Sequence, residues 1–145
     1  MATTTLSEAT HYSEPLRAQL QRLLEQLTTA PIALSEERLR AVIDDPSSHL
    51  YLLEVEGAAI GMLTLGVYYS PTGSKAWIED VVVDASHRGQ GYGRQLVAHA
   101  IAEAKRLGVE QLMLTSNPAR VAANQLYQAM GFEPKATNCY RMLLQ

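Results

Sequence analysis

The segment His87-Arg88-Gly89-Gln90-Gly91-Tyr92-Gly93-Arg94-Gln95-Leu96 places three glycines within five residues, directly before an apolar pattern with helical spacing. It follows the segment 75–84 (KAWIEDVVVD), whose apolar run predicts a strand. A strand, a glycine-rich turn and a helix together present unpaired helix N–H groups to an anion, and the helix dipole favours negative charge there. Three glycines exceed what a tight turn needs, because each costs conformational entropy on ordering. The segment therefore predicts an anion-binding loop.

Two common nucleotide-binding loops do not match these residues. A Walker loop ends in Gly-Lys-Ser/Thr, whereas this chain has Gly93-Arg94-Gln95. A dinucleotide-binding fingerprint has its third glycine three residues after the second, where Arg94 stands here. The remaining pattern, Arg-Gly-x-Gly-x-Gly, directs successive N–H groups into one concavity. Such a loop can hold a pyrophosphate without a metal ion.

Composition limits the classes of protein that the chain can represent. With 145 residues, of which 47% are apolar and 19% charged, we expect one globular domain over 1–145. The net charge of -3 argues against nucleic-acid and membrane-surface partners. The N-terminal residues lack a basic start with an apolar run, and no segment approaches the ~20 apolar residues of a membrane span, which favours a cytoplasmic protein.

Cysteine and histidine usage gives no indication of a disulfide or a metal site. The single cysteine, Cys139, excludes an intrachain disulfide and fits a reducing compartment. We expect it to be a small buried residue in a C-terminal strand rather than a catalytic thiol. The four histidines share no ligand-like spacing with cysteine or acidic residues, so no metal is expected.

The rest of the chain alternates helical and strand patterns. Ser13 and Ser35 are candidate N-caps of two early helices, and Asn117-Pro118 is a candidate start of a late one. The valine run of 75–84 predicts a strand buried on both faces. The expected helices are 13–27, a short one from 35, 91–107 and one from 117 to 130; the expected strands are a hairpin of 49–55 and 58–69 with a Glu56-Gly57 turn, then 75–84, 109–116 and 136–144.

Two of these segments resemble the motifs of the GNAT superfamily of acyl-CoA-dependent N-acyltransferases. The stretch VVVDASHRGQGYGRQLVAHAI is similar to the family's central motif, and NPARVAANQLYQAMGF is similar to its second motif, with Leu-Tyr-x-x-x-Gly-Phe. The resemblance covers 75–145 well and 13–74 by element order, with TTTL (3–6) as the candidate first strand. It implies an α+β fold with a central mixed, mostly antiparallel sheet and helices on both faces.

The resemblance also implies roles for individual residues. The backbone of Val81, Val82 and Val83 would lie beside the pantetheine arm and the acetyl carbonyl of acetyl-CoA. Asn124 would face pantetheine, and Tyr127 would protonate the departing thiolate, although its spacing alone would make it a core aromatic. The residues around the CoA pyrophosphate would be Arg88, Gly89, Gln90, Gly91, Tyr92, Gly93 and Arg94.

An acceptor amine bound near pH 7 is mostly protonated, so a carboxylate is useful as a base, directly or through water. Glu79 and Asp80 are adjacent in the preceding strand, where the polyamine and glucosamine-6-phosphate branches of the superfamily also carry Glu-Asp. Because neighbouring strand residues face opposite sides, at most one should point at the acceptor, and we favour Glu79. A structural ion pair is the alternative role for either carboxylate.

Together these features predict an N-acetyltransferase that transfers the acetyl group of acetyl-CoA to an amine by direct attack in a ternary complex. The acceptor would be a small amine, an amino sugar or a protein amino group. The alternative is a non-catalytic acyl-CoA-binding sensor or interaction module. A homodimer through the terminal strands is also left open by the resemblance.

Overall fold

The computed structural model describes residues 3–145; Met1 and Ala2, which belong to the expected domain 1–145, lie outside the described residues. The chain forms two compact units, one up to Thr115 and one over Ser116–Gln145. The elements in chain order are β1 (Thr4–Glu8), α1 (Glu14–Leu27), α2 (Glu36–Asp44), β2 (Ser48–Val55), β3 (Ala58–Ser70), β4 (Gly73–Val83), a short 3-10 helix (Ala85–His87), α3 (Tyr92–Arg106), β5 (Gln111–Leu114) and α4 (Val121–Ala129).

Side-chain caps fix the starts of α1 and α2. Ser13 Oγ accepts a hydrogen bond from the Leu16 N–H at 3.2 Å, and Ser35 Oγ accepts one from the Arg38 N–H at 3.1 Å. Each bond satisfies one of the N–H groups that a helix start leaves without an intrahelical partner. Both predicted N-caps are therefore confirmed.

The first unit is built on one sheet in the strand order β1-β2-β3-β4-β5. The first four strands pair antiparallel, and β5 pairs parallel with β4. Glu56 and Gly57 join β2 to β3 with φ values of 51° and 80°, the left-handed pair that a two-residue hairpin turn requires. The expected mixed, mostly antiparallel sheet and its central hairpin are confirmed.

Helices cover both faces of this sheet. On one face, leucines of α1 and α2 pack with alternate residues of the strands; on the other, α3 supplies Leu96 and Val97. Gly61 marks the contact with α3, because an added Cβ would lie only 3.0 Å from Leu96. The strand residues on the α1–α2 face are Leu50, Leu52, Met62 and Val82, and the other fully buried strand residues include Tyr51, Leu53, Leu63 and Leu65.

The valine run of β4 is not buried on both faces, contrary to the expectation. Val82 is buried, but Val81 and Val83 are half-buried, and the preceding Glu79 and Asp80 are exposed. The reason is the length of β5, which pairs with β4 only from Lys75 to Ile78. The second half of β4 therefore has a neighbouring strand on one side only.

The predicted last strand, 136–144, is also wrong. These residues have no regular secondary structure; the Thr137 N–H makes only a local bond to the Lys135 carbonyl, and Tyr140 is 88% exposed. An apolar segment becomes a strand only where a partner strand satisfies its backbone hydrogen bonds, and no described strand pairs with residues 136–144. Cys139, expected to be buried in that strand, is exposed.

The late helix begins later than predicted. Asn117 is not its N-cap, because the Asn117 side chain accepts a hydrogen bond from the Ala119 N–H at 2.8 Å and closes a turn before the helix. The helix starts at Val121 after Arg120, which provides no side-chain cap.

Candidate active site

A β-bulge interrupts β4 beside the glycine loop. Thr64 pairs with Glu79 and Met62 pairs with Val82, so Asp80 and Val81 together oppose a single residue of β3. Asp80 has φ 54°, in the left-handed region that non-glycine residues rarely adopt. A bulge leaves its extra residue outside the ladder of backbone hydrogen bonds. Strand alternation therefore does not decide which way the Asp80 side chain points.

The same part of β4 is open on its other edge. The parallel pairing with β5 ends at Ile78 opposite Leu114, and no other described strand pairs with β4 on that side. From Glu79 to Val83 the outer edge of β4 therefore offers backbone groups to a ligand. The bulge at Asp80 and Val81 lies within this open edge of five residues.

The glycine loop follows this open segment after the short 3-10 helix. Gly89 and Gly91 have φ values of 78° and 82°, and a Cβ built on either would meet no atom within 4 Å. Gly91 is the N-cap of α3 and provides no side-chain cap, so the first N–H groups of that helix lack the partner that Ser13 and Ser35 give to α1 and α2. The loop has the conformation, the space and the free donors that an anion requires.

Two arginines flank the loop. The Arg88 side chain is exposed, and its Nε donates to the Val83 carbonyl at 3.2 Å, which places the guanidinium at the end of the open strand edge. Arg94 is exposed in the first turn of α3. Both add positive charge to the helix end whose dipole already favours an anion.

Gln26 and Asp84 fix the junction between β4 and the loop. Gln26 at the end of α1 donates from Nε2 to Asp84 Oδ1 at 2.8 Å and accepts from the Ala85 N–H at 2.7 Å. Asp84 also accepts hydrogen bonds from the backbone and side chain of Ser86. Hydrogen bonds from Ser86, Gln26 and His87 hold the pKa of the Asp84 carboxyl well below its usual range.

The sequence pattern did not identify this junction. Asp84 could have been found as the cap of a short helix from its spacing to Ser86. Gln26 had no comparable signal, because its partners lie 58 and 59 residues away in the sequence.

The two adjacent carboxylates have perturbed acidities. Burial raises the pKa of Glu79, and the nearby charge of Asp80 raises it further. Burial also raises the pKa of Asp80. Both side chains nevertheless reach solvent, and neither forms a salt bridge within the described chain. The structural ion pair considered from the sequence is therefore not observed, and both remain accessible to a ligand.

The other two predicted site residues lie one turn apart on α4, in the second unit. Asn124 donates from Nδ2 to the carbonyls of Asn117 at 3.0 Å and Arg120 at 2.9 Å, so its amide fixes the turn that precedes the helix. Both hydrogens of that amide are used, and its Oδ1 is left to accept from a ligand.

Tyr127 is 7% exposed and packs edge-to-face with Phe132, with ring centroids 6.1 Å apart. Burial raises the pKa of its phenol, which keeps the hydroxyl protonated at neutral pH.

Among the described residues there is neither a cluster of metal ligands nor a membrane-spanning helix. In residues 3–145 no group of three or more histidine, cysteine, aspartate or glutamate side chains could hold a metal ion. No helix of the described chain is long and apolar enough to span a membrane.

The family model for the acetyltransferase (GNAT) family matches residues 17–132, which is most of the chain. A glucosamine 6-phosphate N-acetyltransferase 1 of Oryza sativa subsp. japonica is 31% identical over 124 residues, covering 78% of this chain and 72% of that protein. The chain therefore belongs to the GNAT acetyltransferase family. It spans only 30% to 47% of the length of three other curated relatives that it matches.

Solved structures share the fold across nearly the whole chain. A putative acetyltransferase from Agrobacterium tumefaciens str. C58 has a TM-score of 0.84 at 24% identity, covering 96% of this chain and 99% of that one. The aminoglycoside N-acetyltransferase AAC(6')-Iy in complex with CoA has a TM-score of 0.82 at 16% identity, covering 100% and 97%. At these identities the likeness establishes the α+β fold.

The hydrogen bonds of Asp84 predict a pH-dependent contribution to stability. Asp84→Ala should lower the free energy of unfolding at pH 7 by roughly 1 kcal/mol, as expected for the loss of a cap. Because the folded pKa of Asp84 lies below the unfolded value of about 3.9, this stabilisation is complete above that value and is lost as the pH falls. Urea unfolding of both proteins at pH 7, 4 and 3 measures the difference.

Gln26→Leu, which removes one partner of the same carboxylate, should reproduce part of the loss at pH 7. A difference between wild type and Asp84→Ala that is constant from pH 7 to pH 3 would contradict the assignment.

Proposed function

We propose that this chain is an acetyl-CoA-dependent N-acetyltransferase that acts by direct attack of an amine on the thioester in a ternary complex. The observation that carries the proposal is the continuity of the open β4 edge, Glu79–Val83, with the uncapped N-terminus of α3 at Gly91. A long ligand with a diphosphate at one position and an amide-bearing arm at another needs both features in this order. Membership of the acetyltransferase family supports the same assignment.

The diphosphate of the cosubstrate lies against the glycine loop in this proposal. The free N–H groups of the first turn of α3 donate to its oxygens, and Arg88 and Arg94 supply compensating charge. The open space above Gly89 and Gly91 accommodates the approach of phosphate to the backbone. The full set of contributing residues is Arg88, Gly89, Gln90, Gly91, Tyr92, Gly93 and Arg94.

The pantetheine arm runs along the free edge of β4 as an added strand would. The backbone of Val81, Val82 and Val83 pairs with its amide groups, and an N–H released by the bulge at Asp80 donates to the thioester carbonyl. A donor aimed at that oxygen stabilises the negative charge that develops as the amine attacks. Asn124 Oδ1, left free by the turn before α4, accepts from a pantetheine amide.

Two proton transfers complete the reaction. Glu79 takes the proton of the acceptor ammonium, directly or through water, with Asp80 as the adjacent alternative. Its raised pKa makes it a better base than an ordinary glutamate, and activity should fall as the pH drops through that pKa. Tyr127, whose phenol stays protonated because burial raises its pKa, donates its proton to the thiolate of CoA.

Release of free CoA thiol from acetyl-CoA across a panel of amines tests the reaction itself. The panel holds polyamines, glucosamine 6-phosphate, aminoglycosides, amino acids and lysine-bearing peptides. Saturable release that depends on one class of amine, with stoichiometric N-acetylated product, is the expected result. Tight acetyl-CoA binding without release for any member, or a trapped acetyl-enzyme, would contradict the proposed mechanism.

The role of the loop predicts that alanine substitutions at the two glycines flanking α3 have different effects on CoA binding. Gly91 and Gly108 lie before and after α3 with φ values of 82° and 75°, and neither has an atom within 4 Å of an added Cβ. Alanine at either position should cost about 1–2 kcal/mol of stability because of the left-handed backbone. Gly91→Ala should also weaken CoA binding at least tenfold, because the new methyl group enters the diphosphate site.

Isothermal titration calorimetry with CoA measures the CoA affinity of Gly91→Ala. Gly108→Ala is the matched control, and its CoA affinity should remain within twofold of the wild-type value. Equal CoA affinity in the two variants would exclude the loop as the diphosphate site.

The role of Tyr127 predicts a loss of turnover without a loss of cosubstrate affinity. Tyr127→Phe should lower kcat by about a hundredfold or more, since general acid catalysis contributes on that scale, with the acetyl-CoA Kd nearly unchanged. Tyr140→Phe, at an 88% exposed position of the same unit, is the control. Unchanged turnover in Tyr127→Phe would refute the assignment.

A further inference from the structure

Three residue pairs form a continuous strip on one face of the β3–β4 hairpin. Thr64 lies opposite Glu79, Gly66 opposite Trp77, and Tyr68 opposite Lys75. Residues of β3 alternate between faces from Met62 onward, and Met62 belongs to the core under α1 and α2. The strip is therefore the continuation of the α1–α2 face toward the hairpin tip, and we call it the β3–β4 strip.

Aromatic side chains remain accessible on this strip. Tyr68 is exposed and Trp77 is half-buried, and the Trp77 Nε1–H donates to the Tyr68 hydroxyl at 3.4 Å. That bond draws the indole toward the Tyr68–Lys75 pair and away from its direct neighbour Gly66. Two aromatic side chains joined by a hydrogen bond offer a wall against which a ligand can pack.

Gly66 forms an open floor beside that wall. A Cβ built on Gly66 would meet no atom within 4 Å, although the residue lies in the middle of a strand and not in a turn. A glycine inside a strand marks a bulge, a bend or a close approach by a ligand or another backbone, and the regular pairing of Gly66 with Ser48 and Trp77 shows no bulge here. The floor lies between the Trp77–Tyr68 wall on one side and the Thr64–Glu79 pair on the other.

The charges on the strip differ at its two ends. Glu79 carries a carboxylate at the inner end, with Asp80 adjacent, and Lys75 carries an ammonium at the outer end. Glu79 lies four residues along the strand from Lys75, a distance of about 13 Å. A ligand on the strip is therefore attracted when its own positive charge lies at the inner end, beside Glu79. A second positive charge of the ligand at the outer end would be repelled by Lys75.

We propose that the β3–β4 strip binds the acceptor, and that the acceptor is a primary amine carried on a ring. The ring lies over Gly66 with one face against Trp77 and Tyr68, and its ammonium group reaches Glu79. This inference rests on the proposed function, because it places the attacking nitrogen beside the residue assigned as the base. It favours ring-bearing amines with one cationic end over extended linear polyamines, whose distal charge would meet Lys75.

Trp77 is the only tryptophan of the chain, so its fluorescence reports on this strip alone. The protein is titrated with glucosamine and galactosamine as ring amines that carry a single cation, with N-acetylglucosamine as the neutral counterpart and with spermidine as the linear polyamine. A saturable change in Trp77 emission with at least one ring amine, and none with N-acetylglucosamine, is expected. A response to spermidine equal to or greater than that to the ring amines would overturn the proposal.

Gly66→Val tests the floor with little risk to the fold. The position has room for the side chain, and valine is favoured in strands. The variant should keep the wild-type thermal midpoint, and its KM for acetyl-CoA should stay within twofold of the wild-type value. For any ring amine that the enzyme acetylates, the KM should rise at least tenfold. Trp77→Leu should raise the same KM and leave that of acetyl-CoA unchanged.

Tyr69→Ala is the matched control, since Tyr69 is 78% exposed on the same strand but faces the other way. Wild-type acceptor KM in Gly66→Val would overturn the acceptor site while leaving the proposed acetyl transfer intact. Conversely, a Trp77 response to ring amines in a protein that releases no CoA thiol with any amine of the panel would support the binding site and refute the proposed function.

Discussion

The proposed active site depends on one constraint on β4, which must leave part of its backbone unpaired without leaving the sheet. Two features meet this constraint together. The bulge at Asp80 removes a residue from the ladder with β3, and the short β5 ends its pairing at Ile78. Because both occur just before the glycine loop, free strand backbone and free helix N–H groups follow one another along the chain.

This arrangement costs free energy that the rest of the sheet offsets. A non-glycine residue in the left-handed region, such as Asp80, costs about 1–2 kcal/mol, and each ordered loop glycine adds entropy cost. A fully buried leucine contributes about 1.5–3 kcal/mol, and Leu53 of β2 and Leu63 and Leu65 of β3 are each fully buried in the sheet that carries the bulge. The strained segment is thus held along one edge by the well-packed strand β3, while Gln26 and Asp84 hold its far end.

Local signals predicted the local elements well. The caps at Ser13 and Ser35, the Glu56-Gly57 turn and the glycine loop each need only a few neighbouring residues, and each was predicted from the sequence. The bulge is not predicted, because Glu79-Asp80 has no glycine and a single aspartate is only a weak signal of a left-handed residue within a run of strand-forming residues. The segment 136–144 has the composition of a strand, but a strand also needs a partner edge, which composition does not reveal.

The difference between donor and acceptor recognition explains why the sequence indicated the cosubstrate and not the amine. In the proposed site the donor is held largely by backbone groups, and the glycines that expose them form a contiguous pattern from Gly89 to Gly93. The acceptor is held by side chains of two strands, and Gly66 and Trp77 become neighbours only through the register of β3 on β4. That register is set by the hairpin tip and by the leucines on the opposite face, such as Leu65 paired with Ile78. Residues that never contact the amine would therefore determine which side chains it contacts. For this reason the acceptor specificity can be inferred from the register of the assembled sheet but not from a local sequence pattern.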